Sequence, residues 1–285
     1  MYKSFLFLVF AVFFSTFSIK SVEAQAYMEV GYSVGLSYYN GDLTNSISQA
    51  LRQSHPAVSA FSKFNINSTL STRLGVTYAK VSGFDALTGR SEFIRRNLSF
   101  DSDIYEIAGM LEVNMFKFSA IASENIFTPY VALGLGAFRF DPRTDYQGQR
   151  IRLQPLGTEG QGTSAAPNNQ KYSLTQLNIP FGGGVKLKLA DNITGFVDFT
   201  WRRTFTDYLD DVSSLYADPE ILLAEGGELT LALSNRTGEF LGEEGYISNG
   251  VKRGNPTIND YYFMGAVGVS FSFYSSGSNV ECPKF

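Results

Sequence analysis

The sequence predicts an all-β fold: an eight-stranded antiparallel transmembrane β-barrel of the outer-membrane type, with long extracellular loops. Three observations predict it. Apolar and polar residues alternate with period two in segments of about ten residues, the length that crosses a bilayer when tilted. The connections between these segments alternate between short and long. Aromatics reach 15% while charged residues make up only 18%, against about 25% in soluble proteins. The mean hydropathy of −0.05 excludes a bundle of helical spans but suits a barrel, in which only every second residue must be apolar.

Residues 1–24 read as a secretory signal. Lys3 supplies the positive start, Phe5 to Phe17 the apolar core, and Val22-Glu23-Ala24 a small-residue cleavage site before Gln25. The apolar run is short for a helical span of about 20 residues. Its removal takes Lys3, Lys20 and Glu23, leaving 21 basic and 26 acidic residues and a net charge of −5. That mild acidity gives no reason to expect nucleic-acid binding. Residues 25–274 then form the barrel and 275–285 a periplasmic tail. The tail holds the single cysteine, Cys282. An odd cysteine in an exported protein suggests intermolecular pairing or a free thiol.

In the first segment Met28, Val30, Tyr32, Val34, Leu36 and Tyr38 alternate with Glu29, Gly31, Ser33, Gly35 and Ser37. Only a strand makes this split, because side chains alternate across the pleat. The second and third segments form a hairpin about Asn67-Ser68-Thr69. Phe64 and Ile66 oppose Lys63 and Asn65, then Leu74, Val76 and Tyr78 oppose Arg73, Gly75 and Thr77. In the fourth, Tyr105, Ile107, Leu111, Val113 and Met115 oppose Glu106, Met110, Glu112 and Asn114. In the fifth, Val131, Leu133 and Leu135 oppose Tyr130, Ala132, Gly134 and Gly136. The sixth sets Leu177, Ile179, Phe181, Val185, Leu187 and Leu189 against Gln176, Asn178, Lys186 and Lys188, and turns at Asp191-Asn192. The seventh sets Ile193, Val197, Phe199 and Trp201 against Asp198 and Arg202. The eighth sets Tyr261, Phe263, Val267, Val269, Phe271 and Phe273 against Gly268, Ser270 and Ser272.

An even number of strands lets the barrel close antiparallel and removes its edges. The long connections fall at 40–57, 83–101, 141–171 and 207–258, the pattern of extracellular loops. The polar faces carry Glu29, Glu106, Glu112 and Asp198 against Lys63, Arg73, Lys186, Lys188 and Arg202. A barrel this narrow is filled by side chains. These charges therefore predict a plugged lumen cross-linked by ion pairs. Tyr38, Tyr78, Tyr105, Trp201 and Tyr261 near strand ends suit a lipid interface.

The chain offers little for catalysis or cofactors. His55, the only histidine, stands beside Ser54 in a turn-rich stretch, where adjacent residues are poorly placed as nucleophile and base. One histidine and one distant cysteine build no zinc site. Asp207, Asp210, Asp211, Asp218 and Glu220 follow the seventh strand. Oxygen ligands of this kind suit calcium, but the spacing matches no EF-hand loop. They read better as the folded root of the largest loop. Asp218 is an N-cap before Pro219 and Glu220, starting a short helix that Gly226-Gly227 ends. Leu229, Leu231 and Leu233 continue as a second short helix or a strand extension. Gly182-Gly183-Gly184 lacks the residues of a phosphate loop and marks a bend or a close backbone approach.

Tyr39-Asn40-Gly41-Asp42-Leu43, Asp103-Ile104-Tyr105-Glu106 and, above all, the run Trp201-Arg202-Arg203-Thr204-Phe205-Thr206-Asp207-Tyr208-Leu209-Asp210-Asp211-Val212-Ser213 resemble the PorG-like family. These are outer-membrane barrels of the Bacteroidetes type IX secretion system, and the resemblance covers the mature chain. It implies a non-enzymatic role without cofactor or metal. It implies integral placement among outer-membrane lipids and partners in a periplasmic ring: a PorK/GldK-type lipoprotein and its PorN/GldN-type companion. Cys282 would then face that ring. An adhesion barrel that binds through its loops, and a lipid-modifying enzyme that uses His55, are the competing expectations.

Overall fold

The computed structural model describes residues 26–44, 46–121, 125–166, 170–242 and 249–273. The signal, the tail and Cys282 lie outside them. Eight strands close into an antiparallel barrel: β1 (Tyr27–Asn40), β2 (His55–Asn65), β3 (Leu70–Phe84), β4 (Ser99–Asn114), β5 (Phe127–Arg139), β8 (Thr175–Ala190), β9 (Ile193–Thr204) and β10 (Tyr261–Phe273). Their spatial order is β3-β2-β1-β10-β9-β8-β5-β4, and β3 pairs with β4 to seal the wall. Two further strands, β6 (Arg143–Tyr146) and β7 (Gln149–Arg152), form a hairpin that joins β4 through Asp101 and Arg143.

Following the pairing once round gives the stagger. From Asn178 it runs through Gly136, Ala108, Gly75, Phe61, Gly31, Ser270 and Thr194 and returns to the same strand at Lys188, 10 residues on. A stagger of this size tilts the strands steeply and fixes the narrow bore. Side-chain alternation sets the two faces. Val30, Tyr32, Val34, Leu74, Val76, Leu133, Leu135, Val267 and their neighbours all point outward and are exposed, a continuous apolar belt. Among the described residues no helix is long and apolar enough to cross a membrane.

The strands run further than alternation alone predicts. β2 begins at His55, β3 continues to Phe84 and β4 begins at Ser99, inside stretches expected to be loops. Alternation blurs there because both faces meet protein: Val81 and Ser82 are adjacent yet both buried. The β6–β7 hairpin also falls in an expected loop. Its strands are too short for periodicity, although Gln147-Gly148, at φ 48° and 75°, is a primed-turn signal that could have revealed it.

The turns at the other end follow local chemistry. Asn67 Oδ1 accepts from the N–H groups of Thr69 and Leu70 at 2.8 Å each, and Asn192 takes a left-handed φ of 67°. The glycine triplet is a close backbone approach. A Cβ on Gly183 would lie 2.3 Å from the Tyr130 carbonyl oxygen, and one on Gly184 would lie 1.9 Å from that of Val197.

The apolar core of the molecule sits at the long-loop end. Tyr39, Phe100, Ile104, Phe138 and Tyr262 from the strand ends pack against Leu43, Phe140, Leu153, Leu209, Val212 and Leu233 from the loops. The connections therefore fold into a cap over the barrel mouth. Among the described residues five short α-helices contribute: α1 (Ile47–Arg52), α2 (Ser91–Arg96), α3 (Pro219–Ile221, continued as a π-helical turn over Leu222–Gly226), α4 (Glu228–Ser234) and α5 (Thr237–Leu241), with a 3-10 turn at Asp85–Leu87. Asp218 caps α3 by accepting from the N–H groups of Glu220 and Ile221, and the Leu229–Leu233 stretch is helical, within α4.

Candidate functional site

Two buried polar assemblies occupy the axis of the molecule. The first fills the lumen. Glu29 pairs with Lys63 at 2.7 Å and accepts from Asn65 at 2.8 Å and Ser270 at 2.6 Å. Glu112 bridges Arg73 at 2.9 Å and Lys186 at 2.6 Å. Arg73 continues to Asp198 at 3.0 Å. Arg202 meets Glu106 at 3.4 Å, and Glu106 also accepts from Tyr262 at 2.6 Å and Asn178 at 2.7 Å. Aromatic rings fill the remaining space, with Phe61 edge-on to Phe196 at 5.5 Å and Lys186 Nζ 4.4 Å from the Tyr130 ring centre. Side-chain exposure is 1% at both Glu29 and Glu112. The gap between Arg73, Glu106, Asp198 and Arg202 is a cavity of about 40 Å³, room for a few water molecules only.

Lys188 does not join this array. It shares the inward face of β8, but it lies at the end of the strand beside an irregularity in the β8–β9 pairing. Its ammonium reaches back to the exposed Asp191 at 3.2 Å. Sequence pattern gives the face of a residue but not its height in the wall.

The second assembly binds the cap together through two arginines. Arg96 grips Asp85 with two hydrogen bonds of 2.7 Å and donates to the backbone oxygens of Asp42 at 3.1 Å and Arg253 at 2.5 Å. Arg253 pairs with Glu159 at 3.0 Å and donates to the backbone oxygens of Asp211 at 2.6 Å and Ser234 at 3.1 Å. Together they touch all four long connections. Glu159 also accepts from the N–H groups of Ser213 at 2.8 Å and Ser214 at 3.0 Å.

The acidic run after β9 belongs here. Tyr39 donates to Asp210 at 2.5 Å and lies 3.1 Å from Asp260. Asp211 accepts from Thr158 at 2.5 Å and Tyr172 at 2.6 Å. Tyr208 stacks on Tyr172 with ring centres 4.7 Å apart and donates to Glu159 at 3.3 Å. Burial pushes the carboxyl of Asp207 up to about 7 and that of Asp211 up to about 6. Asp210 and Asp260 rise well above the usual range, through burial and then the neighbouring charges of Asp42 and Asp210 respectively. Burial thus raises the pH at which each of these carboxyls takes up a proton. Hydroxyl, amide and guanidinium donors engage Asp210, Asp211 and Asp260, whereas Asp207 Oδ2 is buried without a hydrogen-bond partner among the described residues. Among the described residues no group of three metal-ligating side chains is placed to hold an ion.

His55 corrects the sequence reading of its surroundings. It opens β2 rather than lying in a turn, and its Nε2 is 2.7 Å from Ser82 Oγ, not paired with its neighbour Ser54. Ser82 is 1% exposed and His55 is half-buried. Sequence reasoning missed Arg96, Arg253, Glu159, Asp85 and Asp260, and gave Tyr39 only as part of a motif. Each finds its partners across irregular connections that carry no periodic signal.

The fold and these assemblies define a closed, capped eight-stranded barrel of the kind found in outer membranes. The chain belongs to the family described as a domain of unknown function, DUF6089, whose model matches residues 7–220. No curated protein matches the sequence. Among solved structures it is similar to Neisserial surface protein A at 11% identity and TM-score 0.43, covering 86% of this chain and 97% of that one. Similar too is the attachment invasion locus protein Ail of Yersinia pestis, in complex with the heparin analogue sucrose octasulfate. There the identity is 7% and the TM-score 0.41, over 87% of this chain and 99% of that one. OprG of Pseudomonas aeruginosa gives 10% and 0.40, over 88% and 97%.

Proposed function

We propose that this protein is an integral outer-membrane barrel that serves as a non-enzymatic membrane anchor for a type IX secretion machine, docking the periplasmic ring lipoprotein and its companion. The observation that carries the anchoring part is the double closure of the barrel axis. The lumen is bridged by Glu29–Lys63 and Arg73–Glu112–Lys186, and the mouth is covered by a cap pinned by Arg96 and Arg253. A barrel closed twice offers no conduit, while its apolar belt offers a firm seat in lipid. The secretion assignment rests on the run Trp201 to Ser213, whose resemblance to PorG-like barrels names the ring partners. In this reading the cap is extracellular, and the tail with Cys282 meets the ring. Affinity purification of the full chain in mild detergent, with identification of co-purifying proteins, tests it. Recovery of ring lipoproteins is expected. Purification of the barrel alone, with secretion intact in a deletion strain, would overturn the assignment.

A further inference from the structure

Outward-facing charges at the long-loop rim of the barrel are treated in two different ways. On the β3–β4 flank they satisfy one another. Lys80 pairs with Asp101 at 2.9 Å, Arg150 also reaches Asp101, and Tyr78 donates to Asp103 at 2.8 Å. On the β5–β8–β9 flank stand two exposed arginines, Arg139 and Arg203. Among the described residues neither has an ion pair, a hydrogen bond or a ring contact.

The two are neighbours on the wall. Arg139 faces Thr175 and Arg203 faces Ile179, so β8 alone separates them. The pairing lines descend by 10 residues per circuit of the wall, which offsets most of the four-residue difference along β8. Both arginines therefore leave the wall at similar height, with two strand spacings across and four residues along the strand between them, about 16 Å measured on the wall. Directly below them, Trp201 stacks on Phe181 at 5.9 Å and meets Phe263 at 5.0 Å. Leu177, between the arginines on β8, is also outward and exposed. Aromatic rings of this kind mark the headgroup level of a bilayer.

We infer that Arg139 and Arg203 form a binding site for the two phosphates of a bis-phosphorylated glycolipid of the lipid A class in the outer leaflet, with its acyl chains along Leu177, Phe181 and Trp201. This rests on the outer-membrane reading above. The chemistry is complementary. Guanidinium groups match phosphate oxygens with paired hydrogen bonds, and a basic side chain near a bilayer surface attracts anionic lipid. The long side chains on either side of Leu177 can each swing toward one of two phosphates held on a single rigid glycolipid backbone. A lone phospholipid phosphate engages only one arginine at a time.

The full chain, folded into phosphatidylcholine nanodiscs, tests this when doped in turn with bis-phosphorylated lipid A, dephosphorylated lipid A or phosphatidylglycerol. Retained lipid is counted by native mass spectrometry, and the emission of Trp201, the only tryptophan, reports occupancy beside Arg203. The wild type should retain bis-phosphorylated lipid A and shift its emission. Arg139→Gln and Arg203→Gln should each weaken retention about fivefold and the double variant about 25-fold, with folding confirmed by heat-modifiable gel mobility. Equal retention by wild type and double variant overturns the site. Equal retention of phosphatidylglycerol or of dephosphorylated lipid A overturns the assignment to the two phosphates. A chain that enters no bilayer overturns the membrane reading as well, whereas insertion without lipid A preference overturns this inference alone.

Discussion

Arg253 and Glu159 form a 3.0 Å ion pair across 94 residues of chain, with side-chain exposures of 2% and 0%. The pair joins the third long connection to the fourth, and Arg96 extends it to the first and second through the Arg253 carbonyl. The cap is therefore one cooperative unit rather than four independent loops.

Removing one partner strands a buried charge, which costs about 3–5 kcal/mol. Arg253→Met is expected to destabilise the cap by this amount while the barrel sheet persists. Limited proteolysis should cut the long connections, and the folded-barrel band should remain on unheated gels. The double variant Arg253→Met/Glu159→Leu removes both charges and should recover at least half of the loss. A single variant as resistant as wild type would show that the pair does not hold the cap.

The acids near Tyr39 make the cap sensitive to pH. Folded Asp207 and Asp211 titrate at about 7 and about 6, against about 3.9 for an unfolded aspartate. A raised folded pKa means that the folded cap holds more protons, so its stability falls as pH rises. The stabilisation is complete below about pH 4 and is lost as pH passes through 6 to 7. Near-UV circular dichroism of the stacked Tyr172 and Tyr208 should show a lower cap melting temperature at pH 8 than at pH 5. Asp207→Asn should flatten that dependence, and a melting temperature that rises with pH would reverse the assignment.

The wall and its lumen were legible because they obey period two. Glu29, Lys63, Arg73 and Glu112 could be assigned inward from their apolar neighbours alone, and the barrel follows from counting such segments. Lys188 shows the limit of the method, since alternation places it inward while its height at the strand end sends it to Asp191. The cap was hardly legible. Asp210 is visible as one of several acids, but its meaning comes from Tyr39, 171 residues away. Arg96 and Arg253 stand in no pattern of the sequence and gain their roles only when the connections fold. Side-chain partners chosen across irregular backbone leave no periodic trace in sequence.

Glu112 is the keystone of the lumen, because Arg73 and Lys186 both lean on it. Glu112→Gln leaves two buried cations facing each other with Asp198 as the remaining nearby carboxylate partner of Arg73. A destabilisation of about 3–5 kcal/mol is expected, read as a lower denaturant midpoint for loss of the folded band. Conductance is a separate matter, because the lumen and the cap are barriers in series. Planar-bilayer recordings should find the wild type silent. Opening the waist with Arg73→Ala/Phe61→Ala should leave it silent, since the cap still covers the mouth. Only the addition of Arg253→Met should produce steady conductance. Current from the waist variant alone would show that the cap is no seal, and current from the wild type would remove the plugged-lumen basis of the anchor reading.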